Sequence, residues 1–208
     1  MIYDIGPHRV QHGDIMDGID ELMGTEKADF IYTDPPWGQG LLTYFQTLNK
    51  RQTGAETKQI AYDEFMPRLF EILWNYSRDV VVVAYGEKWR EDVINQAIKQ
   101  GFKHCGTATS YYKSGSVLRP SDHHFLSKEA DIELTPKFIE EHSVYKSDLH
   151  SVRQIFKLLG VSKKSICLDP MCGMGYTAQA TLDIGAYFRG LELNSKRLEK
   201  TINKLESQ

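Results

Sequence analysis

At 208 residues, with about 150 residues per domain as a guide, the chain has room for one domain, or one domain with modest inserts. A composition of 41% hydrophobic and 25% charged residues supports a sizeable core and excludes disordered, collagenous and mini-protein classes. Lys and Arg number 25 against 28 Asp and Glu, a formal net charge of −3, so a nucleic-acid partner must be met by a local basic face rather than a global field.

The opening segment MIYDIGPHRVQHGD lacks a basic stretch followed by an apolar one, and no apolar run approaches a membrane span, so a cytoplasmic location is expected. Cys105, Cys167 and Cys172 form no C-x-x-C pair, which argues against a disulfide framework and for a reducing compartment. Asp29 to Thr33 reads as a buried parallel strand, a short apolar run bounded by turn formers. Residues 38–60, with Lys50, Arg51, Gly54 and Lys58, fit no element and are expected to be an insert. Tyr62, Phe65, Met66, Leu69, Phe70, Leu73 and Tyr76 then share one helical face. Val80 to Tyr85 (VVVVAY) is a second strand, and Trp89, Val93, Ala97 and Ile98 suggest another helical face.

Residues 114–143, which mix Pro120, Asp122, His123, His124 and Pro136, are a second expected insert. A helix from Leu149 to Leu159 ends at Gly160, and strands follow at Ser165 to Leu168 and Ala186 to Leu193. Strands alternating with helices predict an α/β, Rossmann-like fold, a mostly parallel twisted sheet with helices on both faces. One domain is expected to span 1–208.

Two motifs carry chemistry. In SICLDPMCGMGYTAQATLDIGAYFRGLEL a strand feeds Asp169-Pro170-Met171-Cys172-Gly173-Met174-Gly175 and then a helix, where glycines permit a sharp turn close to a ligand. Glu192 lies 17 positions after Gly175, where such folds hold ribose hydroxyls. No lysine-bearing phosphate loop is present, and Asp169 would face a pyrophosphate as one anion faces another. A cationic cofactor, S-adenosylmethionine with its sulfonium and ammonium, suits it better.

The other motif is Asp34-Pro35-Pro36-Trp37, directly after the first strand. The prolines stiffen the turn so that the Pro35 carbonyl can point outward, Asp34 adds a second acceptor, and Trp37 offers a flat face for a planar base. Two acceptors beside a platform fit an exocyclic amino group: bonding both N–H groups favours a pyramidal nitrogen whose lone pair can be aimed at a methyl donor. His123 and His124 are adjacent and do not reproduce metal-ligand spacing, so no metal is expected.

With both motifs in view, the chain resembles the S-adenosylmethionine-dependent DNA amino-methyltransferases of adenine N6 and cytosine N4, in the permuted order with D-P-P-W before D-P-x-x-G-x-G. Met171, Met174 and Tyr176 depart from that family's usual residues. The resemblance implies cofactor roles for Asp14 in His12-Gly13-Asp14 and for Asp169, Pro170, Gly173, Gly175, Glu192 and Asn194. Lys146 joins them through a segment in which Ser147 replaces the family's proline. Asp34, Pro35, Pro36 and Trp37 are the implied catalytic residues.

An opening Asp tips the resemblance toward adenine N6 in DNA; RNA adenine N6, DNA cytosine N4 and a non-catalytic methyltransferase-like subunit are the alternatives. A base inside a duplex must be rotated out to reach such a pocket. Lys50, Arg51, Lys58, Lys113 and Arg119 are the expected backbone contacts, with Tyr111 and Tyr112 as packing or stacking aromatics. So short a chain lacks a large recognition domain, which implies a short target, relaxed specificity, or a second subunit or homodimer as partner beside DNA.

Overall fold

The computed structural model describes residues 1–129 and 147–207. One eight-stranded sheet runs in the spatial order β1-β2-β8-β7-β3-β4-β6-β5. Its strands are β1 (Ile2–Ile5), β2 (His8–His12), β3 (Ala28–Thr33), β4 (Ser77–Gly86), β5 (Lys103–Ser114), β6 (Val117–Ser127), β7 (Ile166–Asp169) and β8 (Tyr187–Glu192). The five central strands, β2, β8, β7, β3 and β4, are parallel. Antiparallel strands close both flanks: β1 against β2, and the β5–β6 hairpin against β4.

The helices are α1 (Asp20–Met23), α2 (Gly38–Thr53), α3 (Tyr62–Tyr76), α4 (Arg90–Gln100), α5 (Asp148–Leu158), α6 (Tyr176–Asp183) and α7 (Ser195–Glu206). On one side of the sheet α3 buries Phe65, Met66, Leu69, Phe70, Ile72 and Leu73 against β-branched positions such as Ile31, Val81 and Val83. The opposite side packs Val152, Ile155 and Phe156 of α5 under Phe30, Val82 and Cys167. Burying such side chains stabilises the fold by about 1.5–3 kcal/mol each, so two covered faces fix the central strands. The predicted α/β architecture is the observed one.

Several local expectations needed correcting. Residues 38–53 form α2 rather than an unstructured insert. Of residues 114–143, the described part is the turn and second strand of the β5–β6 hairpin, and the rest lies outside the described residues. Ile98 leaves the predicted face of α4 and is exposed. It stands five positions after Val93, about 140° around a helix of ~3.6 residues per turn.

Strand order reverses between β3 and β7, because the chain passes from β3 to β4 on one side and from β7 to β8 on the other. Open α/β sheets leave a crevice at the carboxyl ends of two such strands. Phe30 pairs with Cys167 and Ile31 with Leu168, so the turns that follow, Asp34-Pro35 and Pro170-Met171, emerge side by side. No disulfide joins the three cysteines, and no described helix is long and apolar enough to cross a membrane.

Candidate functional site

A cleft of about 490 Å3 opens at this reversal point. Asp34, Pro35, Pro36 and Trp37 line it, together with Asp14, Pro170, Glu192 and Asn194. Parallel pairing of β2 with β8 sets His12 beside Glu192, which carries Asp14 forward to the rim of the same space. Residues remote in sequence thus share one cavity.

The Asp-Pro-Pro-Trp turn is held by a residue that sequence reasoning did not single out. The Tyr85 hydroxyl, at the end of β4, donates to the Pro36 carbonyl at 2.8 Å and accepts from the Gly38 amide at 2.9 Å, with the Tyr62 hydroxyl 3.0 Å away. Burial holds the Tyr85 phenol well above the usual tyrosine range, so it remains a donor. Gly38 and Gly86 make room for indoles: a Cβ on Gly38 would come 2.8 Å from Nε1 of Trp89, and one on Gly86 2.8 Å from Cε3 of Trp37. Trp37 meets the Tyr112 ring edge-on at 5.2 Å, so the β5–β6 hairpin reaches the cleft at this point.

The Trp37 indole N–H donates to Asp34 Oδ1 at 2.9 Å and leaves the second carboxylate oxygen uncommitted among the described residues. Asp34 is exposed through the cleft mouth while the cleft walls crowd it. That crowding pushes its carboxyl up to about 7; the Trp37 bond and the charge of Arg197 oppose the rise, and Asp148 and Asp169 reinforce it. Water entering the open cleft tempers the effect, and a ligand that fills the cleft restores it.

The glycine turn is anchored through Asp169 and Glu192. Asp169 is buried behind Pro170 and Met171, accepting from the Met171 amide at 3.1 Å and from the Thr177 hydroxyl at 2.6 Å. Burial raises it to about 7 against those two bonds. It ties the turn to α6 and acts on the cleft through its charge. The Gly173 amide donates to Glu192 Oε2 at 2.8 Å, and Gly173 has φ +53°. Gly175, with φ +80°, has no free room for a side chain, since a Cβ would lie 2.8 Å from Oγ1 and 3.2 Å from Cα of Thr201. Gly175 therefore permits close packing of the turn on α7; neither glycine lines the cleft.

Glu192 accepts the Asn194 amide at 2.9 Å through its other oxygen, and burial raises its carboxyl above the usual range. Asn194 is first an N-cap: Oδ1 accepts from the amides of Lys196 and Arg197, while Nδ2 donates to Gln52 of α2 at 2.9 Å. Asp14 caps the short turn at Ile15–Asp17 by accepting from the Met16 amide at 3.0 Å. Lys146 lies outside the described residues.

The other wall is α2, where Leu41, Leu42, Phe45, Gln46, Leu48 and Asn49 face the cleft at helical spacing. Gln46 is buried, and its Oε1 has no hydrogen-bond partner. These residues and Arg197 were missed; the Leu41, Leu42, Phe45, Leu48 periodicity was the available signal.

The expected basic residues do not line the cleft but adjoin in sequence, or pair in register with, residues that do. Lys50 and Arg51 follow Asn49, Lys58 precedes Ile60, Lys113 lies between Tyr112 and Ser114, and Arg119 pairs across the hairpin with Tyr112; all five are exposed. Lys50 forms a 2.8 Å ion pair with Glu56, exposed on both sides and so of small energetic weight. Tyr111, the other expected aromatic, is half-buried on β5. The histidine pair is structural: Asp122 binds Arg90 at 2.7 Å, His123 meets the Ser110 hydroxyl at 3.0 Å, and His124 meets that of Thr107 at 3.1 Å. The described residues contain no cluster of metal-ligating side chains.

No family model and no curated protein matches the chain. Among solved structures it is similar to M1.HpyAVI in its SAM complex, at 15% identity over 94% of this chain and 98% of that one, with a TM-score of 0.69. The chain has a Rossmann-like methyltransferase fold. TTHA0409 from Thermus thermophilus, complexed with S-adenosyl-L-methionine, aligns at 14% identity over 95% and 93% of the two chains, TM-score 0.60. The cytosine-N4-specific PvuII DNA methyltransferase aligns at 9% identity over 94% and 85%, TM-score 0.61.

Proposed function

We propose that the chain transfers a methyl group from S-adenosylmethionine to the exocyclic N6 amino group of adenine in DNA. The observation that carries this reading is the meeting of Asp34-Pro35-Pro36-Trp37 with Asp14, Pro170, Glu192 and Asn194 in one cleft where the strand order reverses. Similar folds bound to S-adenosylmethionine support the cofactor.

In this reading Glu192 takes the ribose hydroxyls, Asp14 the adenine, and Pro170 and Asn194 the walls around them. Asp169, Gly173 and Gly175 form the turn beneath, where the Asp169 charge favours a sulfonium. Lys146 keeps the cofactor role that the resemblance implies. Stacking on Trp37 and backbone contacts from Lys50, Arg51, Lys58, Lys113 and Arg119 offset the few kcal/mol, by order of magnitude, of rotating the base out of the duplex. Asp34 and the Pro35 carbonyl accept the two amino hydrogens, which turns the nitrogen lone pair toward the methyl carbon. The C–N bond forms as the C–S bond breaks, its electron pair stays on sulfur as S-adenosylhomocysteine, and the nitrogen then gives a proton to Asp34 or water. Target reading falls to the hairpin, or to a second subunit or second copy of the chain.

The PvuII relative gives one specific ground for a second reading, cytosine N4, because the same acceptor pair serves either amino group. Nucleoside mass spectrometry decides between them after incubation of unmethylated duplex DNA, and of RNA, with isotopically labelled cofactor. Labelled N6-methyladenine from DNA is expected; label on cytosine N4, or in RNA alone, changes the substrate, and no label in any nucleoside contradicts the activity.

A further inference from the structure

Among the described residues, three carboxylates and one basic side chain line the cleft: Asp14, Asp34, Glu192 and Arg197. Arg197 stands on the first turn of α7, half-buried, with its guanidinium 5.1 Å from the centroid of Phe45. Its Nη2 lies 3.1 Å from where a Cβ on Gly173 would be. The guanidinium therefore hangs over the glycine turn, and its charge reaches the carboxyls of both Asp34 and Glu192. It forms a salt bridge with neither of them, nor with any other described acid.

Those acids are engaged elsewhere. Glu192 accepts the Gly173 and Asn194 amides, and Asp34 accepts the Trp37 indole. A guanidinium laid on a ring beside carboxylates, but paired with none, keeps its donor fork for another group. S-adenosylmethionine brings one anionic group, the carboxylate of its amino-acid end. Among three fixed carboxylates that group is repelled except beside Arg197.

Resting on the cofactor reading above, we propose that Arg197 binds the amino-acid carboxylate of S-adenosylmethionine and makes the cleft selective for an adenosyl ligand that carries one. The sulfonium and ammonium then lie toward the Asp34 and Asp169 charges, so each charged group of the ligand meets its opposite.

The test is calorimetric titration of the full chain with S-adenosylhomocysteine and with its decarboxylated counterpart, in which hydrogen replaces the carboxylate. The unaltered chain is expected to prefer the carboxylate-bearing ligand by about 10- to 100-fold, the scale of a charge-assisted hydrogen-bonded pair. Arg197→Met should lose that factor for S-adenosylhomocysteine while the decarboxylated ligand stays within about twofold, which separates a lost contact from a lost fold. Arg197→Lys should keep part of the preference, being a point charge without the planar fork. Equal weakening of both ligands, or of neither, overturns the assignment. If neither weakens and the salt dependence of DNA binding becomes shallower, the guanidinium meets a phosphate of the target instead. An unaltered chain that binds both ligands equally refutes the Arg197 assignment alone, whereas one that binds neither refutes the cofactor reading and this assignment with it.

Discussion

Replacing Tyr85 with Phe removes one buried oxygen on which the Asp34-Pro35-Pro36-Trp37 turn depends. The Gly38 amide loses its acceptor in a buried setting, which costs about 1–3 kcal/mol, and the half-buried Pro36 carbonyl loses a donor worth about 0.5–1.5 kcal/mol. The sum is about 2–4 kcal/mol. For a chain of this length that lowers the melting temperature by about 5–9 °C, readable by calorimetry. A turn freed to shift by about an ångström should also slow transfer by ~100-fold in single-turnover measurements. Tyr62→Phe is the internal control: it removes only the neighbouring, half-buried hydroxyl and should cost under about 1 kcal/mol with little change in rate. A Tyr85→Phe protein that melts with the parent, or one that melts early yet transfers at the parent rate, refutes the claim that this hydroxyl positions the turn.

Other outcomes follow from the same geometry. Asp34 offers both oxygens as acceptors, and can take up the proton, only when ionised, so transfer should rise with pH up to about 7 and then level off, and Asp34→Asn should slow it by about 100-fold; a flat pH profile contradicts the assigned role. Asp34 and Asp169 both titrate higher in the folded chain than their ordinary value of 3.8. Their contribution to stability is therefore full below about pH 4 and lost as pH rises through about 7. A ligand-free melting temperature that falls between pH 5 and 8, less steeply in Asp34→Asn, checks the sign. Gly175→Ala combines left-handed strain of about 1–2 kcal/mol with overpacking on Thr201 of about 1–3 kcal/mol. Gly115→Ala, with φ +64° and open space around it, should show the strain alone in urea unfolding. Arg51→Ala with Arg119→Ala should flatten the salt dependence of DNA binding by roughly two phosphate contacts, and an unchanged slope removes these residues from the interface.

How much of this was legible depended on burial. The strands that deliver Asp34 and Asp169 are covered on both faces, so DFIYT and SICL announced themselves as apolar runs, and the motifs at their ends fell where ligands bind. Helix α2 was hidden because it opens with Gly38 and Gly40 and has no side-chain cap at Trp37, while its cleft face includes the polar Gln46 and Asn49. The β5–β6 hairpin was hidden for another reason: KHCGTATSYYKS is half-exposed, so small polar residues replace the apolar alternation that marks a strand. Residue type suggested that Asp169, Gly173, Gly175 and Asn194 touch a ligand. The fold gives each of them a structural task as well, in turn anchoring, packing on Thr201 and helix capping, and Asn194 also lines the cleft. Tyr85 and Arg197 carry no local signal at all, because what each does depends on groups that only the fold brings near.

The central claim is that one cleft holds a methyl donor at its Glu192 end and an amino acceptor at its Asp34 end. Cofactor binding and methyl transfer to duplex DNA, measured on the same preparations of the parent chain and of Asp34→Ala, test it most directly. The account predicts that the variant binds S-adenosylmethionine nearly as the parent does while transfer to adenine falls by about 100- to 1,000-fold. Transfer that survives in Asp34→Ala, or binding lost along with it, would contradict the division of the cleft into these two ends.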